Sequence, residues 1–188
     1  MTKAKINLHT HSFFSDGKNS LEEHILAAIE KGFTVLGFSE HSLHPLDPAF
    51  YYAVDSNWHM LPDRFKEYSA AVKALKEKYA DRIKILLGFE ADYLVLPGTG
   101  SAIPDKACYA DFAPDYLIGS VHFINTPAGF FTVDNKAEEV QKALNSFYRQ
   151  PDGTINGRAA VCDYFETERR MLEGGNFEIM GHPDLIRL

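Results

Sequence analysis

Five short apolar runs punctuate the 188-residue chain, and each ends on side chains able to bind a metal. Ala4–Leu8 runs into His9 and His11, Thr34–Phe38 into Glu40 and His41, and Ile83–Phe89 into Glu90 and Asp92. Tyr116–Val121 runs into His122, and Phe177–Met180 into Gly181 and His182. Their length and their content of Ile, Val, Leu and Phe predict strands buried on both faces. Helical patterns fall between them. Ser20 followed by Glu23 makes a capping box for a helix over Leu21–Lys31, which Gly32 stops. Leu61, Phe65, Tyr68, Val72, Leu75 and Tyr79 lie at helical spacing and predict a helix over Pro62–Tyr79. Two more are expected over Ala137–Tyr148 and Ala159–Glu173, the latter stopped by Gly174 and Gly175. Stretches 42–61, 97–113 and 149–158 read as loops. Alternating strands and helices predict parallel strands joined by right-handed crossovers. In a parallel β/α barrel all strand C-termini open on one face, where active sites collect. The five metal-capable strand ends would therefore converge on one mouth.

Composition supports this reading and narrows it. With 45% hydrophobic and 24% charged residues, the chain reads as a single globular domain over 1–188. Its two cysteines, Cys108 and Cys162, have no metal-type spacing and are expected to be buried free thiols. No signal-like or membrane-spanning segment is evident, so a cytoplasmic address is expected, with no membrane partner. A formal net charge of −7 argues against a nucleic-acid partner, which usually demands a basic stripe. It does not argue against a small anion, because bound cations invert the local field.

The candidate donors are His9, His11, Asp16, His41, Glu90, His122 and His182. His9 and His11 stand two apart on a strand and can point to one side. Imidazoles and carboxylates suit divalent Zn, Mn or Fe, and a carboxylate such as Glu90 can bridge two ions. Two or three such ions would activate water near neutral pH and clamp a transferring phosphoryl group. Only two carboxylates stand among the seven donors, so the loaded site would stay cationic and attract a phosphate monoester. Glu40 reads either as a partner orienting a liganding histidine or as a polar residue of the mouth. Asp92 reads as structural and His24 as exposed on the first helix. His59, beside Trp58, falls in a loop, where a substrate contact is its functional alternative. The aromatic-rich stretch PLDPAFYYAVDSNWHML is expected to shape a pocket for an organic leaving group.

In order along the chain, NLHTHSFFSDG, FSEHS, GFEADY, IGSVHF and IMGHPDL resemble the conserved blocks of the polymerase-and-histidinol-phosphatase (PHP) superfamily. The nearest resemblance is to its histidinol-phosphate phosphatase branch, and the blocks run from residue 6 to residue 186. It implies a distorted (β/α)7 TIM-like barrel holding three metals. His9, His11 and Glu90 would hold the first ion and Glu90, His122 and His182 the second, while Asp16 and His41 would form part of the third. It also implies hydrolysis of a phosphate monoester, L-histidinol phosphate foremost, within histidine biosynthesis. Other small phosphates or nucleotides are the alternative substrates. His44 resembles a catalytic histidine that contacts the phosphate or protonates the leaving alkoxide. Arg158, in NGRAAV, is the candidate phosphate-binding arginine, with a surface salt bridge as its other reading. In one respect the chain departs from the family pattern. The family continues past the GHxD block to a late Asp-x-His pair, whereas this chain stops at Leu188, after its fifth expected strand. The barrel is therefore expected to be truncated, as a fragment or a natural short form, with the second metal best provided for. A catalytically inactive metal-binding or interaction module is the remaining alternative.

Overall fold

The computed structural model describes residues 4–47, 51, 54, 57–96, 98, 100–126 and 128–187. Its strands, in chain order, are β1 (Ile6–Asn7), β2 (Val35–Ser42), β3 (Lys84–Asp92), β4 (Leu94–Leu96), β5 (Gly100–Ala102), β6 (Tyr116–Ser120), β7 (Phe123–Thr126), β8 (Gly129–Thr132) and β9 (Ile179–Met180). The helices are α1 (Leu21–Glu30), α2 (Phe65–Lys78), α3 (Ala137–Tyr148) and α4 (Gly157–Gly174). Five of the strands form one open parallel sheet in the order β1-β2-β3-β6-β9. It is curled as half of a barrel. The sequence predicts these five strands and their parallel direction.

Each helix follows from the sequence around it. Ser20 caps α1 and Glu23 completes the capping box, while Leu21, Ile25 and Ala28 face inward. After the cap residue Lys31, Gly32 takes φ +73°, a left-handed conformation that ends the helix without steric cost. A 3-10 turn over Pro62–Arg64 leads into α2, whose Phe65, Tyr68 and Val72 are buried. The Tyr68 hydroxyl donates to the Gly88 carbonyl at 2.8 Å, pinning α2 to β3. Asn156 caps α4 by accepting from Ala159 N at 3.1 Å.

The central strands are brought together by one tyrosine. From β6, the Tyr116 hydroxyl contacts the Leu8 carbonyl at 2.6 Å and the Phe38 carbonyl at 3.0 Å. It reaches that far because Gly37 and Gly88 carry no Cβ. A Cβ on either would stand 2.4 Å from the Tyr116 ring or hydroxyl. β2 and β3 are buried along nearly their whole length, as strands flanked on both faces must be.

Several expectations need correction. β2 and β3 run on through Glu40, His41, Glu90 and Asp92, so these residues lie within strands rather than beyond them. The expected loop around 97–113 contains the β4–β5 hairpin and a 3-10 turn over Lys106–Phe112, and a second hairpin, β7–β8, follows β6. Segments of three or four residues are too short for a period to show. Cys108 and Cys162 are exposed free thiols, not buried ones. On α4 the helical period turns Tyr164, Thr167, Glu168 and Met171 inward and so places Cys162 outside. His24 is half-buried rather than exposed, and its Nε2 is enclosed without a hydrogen bond. Of the aromatic-rich stretch expected to shape a pocket, residues 48–50, 52, 53, 55 and 56 lie outside the described residues. Tyr51 and Val54 pack into a core with Leu43, Leu46, Leu94 and Leu96. Among the described residues, no helix is long and apolar enough to cross a membrane.

Candidate metal centre

The parallel register brings the donors together. His41 on β2 is the direct neighbour of Glu90 on β3, and His122 and His182 each stand two residues beyond the ends of β6 and β9. His9 and His11 follow β1 on the other side. Glu90 lies at the middle with no exposed surface. Its Oε2 lies 2.8 Å from His9 Nε2, 3.2 Å from His11 Nε2 and 3.2 Å from His41 Nδ1. Its Oε1 accepts from Ser120 Oγ at 2.6 Å and lies 2.8 Å from His182 Nε2 and 3.6 Å from His122 Nε2. Six groups thus crowd two oxygens that offer about four lone-pair sites. His41 Nδ1 makes no hydrogen bond despite its proximity, and the buried Nδ1 atoms of His11 and His182 also lack partners. Imidazole nitrogens packed this closely around one carboxylate suit shared cations better than a set of hydrogen bonds.

The described residues offer four groups whose donor atoms lie within 4.8 Å of one another. These are His9–His11–Glu90, His11–Asp16–His41, Glu90–His122–His182 and His41–Asp92–His122. All seven donors expected from the sequence fall into these groups, and Asp92 joins them. The oxygens of Asp92 are already engaged. Its Oδ1 lies 2.5 Å from His122 Nδ1, and its Oδ2 pairs with His59 Nε2. That arrangement fits a carboxylate orienting a liganding imidazole better than a ligand itself. Sequence reasoning took Asp92 for a structural residue and His59 for a loop residue. Its one available signal was that Asp92 stands two residues after Glu90 on the same strand.

Burial alone would raise the Glu90 pKa, but hydrogen bonds from His11, His182 and His9 prevail and hold it well below the carboxylate range. Asp92 is likewise held low, against burial, by His122 and His59. Burial would lower His122, yet the Asp92 carboxylate, with Glu90 behind it, lifts it to about 10. His41 goes the other way, driven well below its ordinary value by burial and by its cationic neighbours. The two outcomes differ because His122 Nδ1 is hydrogen-bonded to the Asp92 carboxylate, whereas His41 Nδ1 lies near Glu90 without forming a hydrogen bond.

Glu40 acts elsewhere. It is fully buried and accepts from Ser12 N at 2.9 Å, from Ser12 Oγ at 2.5 Å and from Ser15 Oγ. It orients no histidine; it ties the loop carrying His9, His11 and Asp16 onto β2. In that loop Gly17 is obligatory, since a Cβ would sit 2.4 Å from the His11 carbonyl. Two expected residues are not brought to the cluster. The His44 ring pairs through Nε2 with the Cys108 carbonyl at 2.8 Å and packs on Phe65, Tyr109 and Phe112. Arg158 is exposed on the first turn of α4 with no hydrogen bond or ion pair to a described residue.

Parallel strands that deliver histidines and carboxylates to one end of a half-barrel define a candidate multinuclear hydrolase centre. The chain belongs to the PHP domain family, whose model matches residues 7–188. It is 30% identical over 97% of its length to a probable histidinol-phosphatase of Schizosaccharomyces pombe. It is 31% identical over 87% of its length to another of Deinococcus radiodurans. It covers 56% and 54% of those two proteins, so the chain spans about half the length of the curated relatives it matches. In fold it is similar to a candidate histidinol phosphatase of Listeria monocytogenes, with TM-score 0.72 and 27% identity over 97% of this chain and 68% of the other. A histidinol phosphate phosphatase of Lactococcus lactis, solved with zinc, L-histidinol and phosphate, shares the fold at TM-score 0.56 and 20% identity. That likeness covers 97% of this chain and 59% of the Lactococcus one.

Proposed function

We propose that this chain carries a metal-dependent phosphomonoesterase centre, with L-histidinol phosphate as the favoured substrate. The observation that carries the proposal is the set of overlapping donor groups around Glu90. In this reading His9, His11 and Glu90 would hold one ion, Glu90, His122 and His182 a second, and Asp16 and His41 would contribute to a third. Zn, Mn and Fe all suit such donors. When bound, such ions polarise the phosphoryl oxygens and bring the pKa of water near neutrality. The protein's own part is positional. Glu90 would be shared between two donor groups, Asp92 fixes the tautomer and orientation of His122, and Glu40 keeps the His9–Asp16 loop docked. The relatives named for histidinol-phosphatase activity, and the histidinol and phosphate bound by the Lactococcus protein, support the choice of substrate. The five-stranded half-barrel is read as part of a (β/α)7 barrel of the same kind.

Steady-state kinetics on the Zn- and Mn-loaded protein provide the test. L-Histidinol phosphate should exceed nucleotides and sugar phosphates in kcat/KM by at least about tenfold. Equal slow turnover of all would remove the specific substrate. No bound metal, together with no turnover, would remove the phosphatase reading altogether.

A further inference from the structure

A cavity of about 180 Å³ adjoins the metal centre and is lined by Asp16, His41, Trp58, Thr132, Asp134 and Asn135. Asp16 and His41 belong to one of the donor groups, so one side of the cavity is the metal centre itself. The other side comes from the end of the β7–β8 hairpin and the residues just after it. These are held at a fixed distance, because Val133 N donates to the His122 carbonyl at 2.9 Å and Val133 is buried. Trp58 supplies a flat wall, itself stacked on the buried Phe123 with centroids 5.8 Å apart and planes 20° from parallel. Asp134 is exposed and makes no hydrogen bond or ion pair with a described residue. Its field nonetheless reaches His122.

The charges are therefore arranged in two layers. A cationic metal cluster would lie on one side and an unpaired carboxylate on the other, with a small cavity between them. Bulk water occupies about 30 Å³ per molecule, so the cavity holds a group of a few heavy atoms rather than a nucleoside. A phosphate with a cationic group a few bonds from its ester oxygen matches that polarity at both ends.

We propose that this cavity is the leaving-group subsite, and that the Asp134 carboxylate receives the ammonium of a 2-amino-alkyl phosphate packed against Trp58. The inference rests on the phosphatase reading and names the chemical class that site selects. Asp134 is then a specificity residue, with no part in holding metal.

The test uses Asp134→Asn in the full, metal-loaded chain with two esters: L-histidinol phosphate and the analogue that lacks only its amino group. For the amino ester kcat/KM should fall at least about fivefold, mostly through KM, because a charge-assisted hydrogen bond is lost. For the des-amino ester it should stay within about twofold, and metal content should be unchanged. Equal losses on both esters, or a loss of bound metal, would overturn the proposal, since Asp134 would then be structural or a ligand. A binding measurement stands apart from turnover. Isothermal titration of L-histidinol into the metal-loaded protein should show weaker binding to the variant than to the wild type. Equal binding would overturn the subsite even in an active enzyme. A difference in binding with no hydrolysis of any ester would uphold the subsite while the phosphatase reading failed.

Discussion

Replacing Asp92 with asparagine keeps its shape but removes one charge from a place where both carboxylate oxygens are in use. Asp92 has no exposed surface, and the His59 and His122 side chains paired with it are 0% and 4% exposed. The asparagine can accept from only one of the two rings and turns an N–H toward the other. His122 then loses the charged partner that aims its Nε2 at Glu90. Loss of such an outer partner typically weakens metal binding by ~10–100-fold, or about 1.4–2.7 kcal/mol. Zinc competition against a chromophoric chelator would read this directly. Asp92→Ala goes further, stranding two buried rings, and should cost the metal-free protein ~3–5 kcal/mol. At roughly 2–4 °C per kcal/mol for a chain of this size, Tm should fall by about 6–20 °C. The pair also predicts a pH dependence. The lowered Asp92 pKa contributes stability above its unfolded value near 4 that is lost on acidification. The raised His122 pKa contributes fully below about 6.5 and is lost as pH climbs through about 10. Metal-free wild type should therefore lose stability between about pH 6.5 and 10, and Asp92→Asn should flatten that decline. Unchanged zinc affinity in Asp92→Asn, with an unchanged Tm in Asp92→Ala, would refute the reasoning.

Three further outcomes are expected. Glu90→Gln should bind fewer ions by elemental analysis and lose at least about a hundredfold in phosphatase kcat, ~2.7 kcal/mol of transition-state stabilisation; full stoichiometry and activity would contradict its bridging place. Gly181→Ala would put a Cβ 2.2 Å from Ser120 Oγ, the donor to Glu90 Oε1, and should cost about 1–3 kcal/mol by thermal melts while weakening metal binding; a neutral result would mean that this contact relaxes freely. Zinc binding at pH 7 should release about one proton from His122, seen as a calorimetric heat that varies with the buffer's ionisation enthalpy, and a buffer-independent heat would show His122 already neutral.

The centre was legible in the sequence because parallel strands turn a linear pattern into a spatial one. An apolar run ending on a donor needs only register to become a corner of a site, and His41 beside Glu90 shows that register at work. What escaped was carried by contacts distant in sequence. His59 meets Asp92 across 33 positions, and neither residue has a spacing that announces the other. Glu40 has the same composition signal as a ligand, yet two serines from the preceding loop claim its oxygens. The β7–β8 hairpin was missed because four-residue strands carry too little period, and with it went the segment that places Asp134. His44 and Arg158 came from resemblance alone. The ring of His44 is turned to Cys108, and nothing ties Arg158 to the cluster.

The donors differ sharply in how firmly the backbone holds them. His41 and Glu90 ride on strands of eight and nine residues at the middle of the sheet, whereas the histidines beyond β1 and β9 hang from strands of two. Strands so short at the margins of a sheet open more often than its middle. An ion shared by Glu90 and His182, or by His9 and Glu90, would then escape at the rate its two-residue strand opens, while Glu90 stays in place to recapture it. The residence time of each ion becomes a property of backbone opening as much as of coordination. Slow amide exchange in β3 beside fast exchange in β1 and β9 would be the sign of a cluster that loads and empties from its rims.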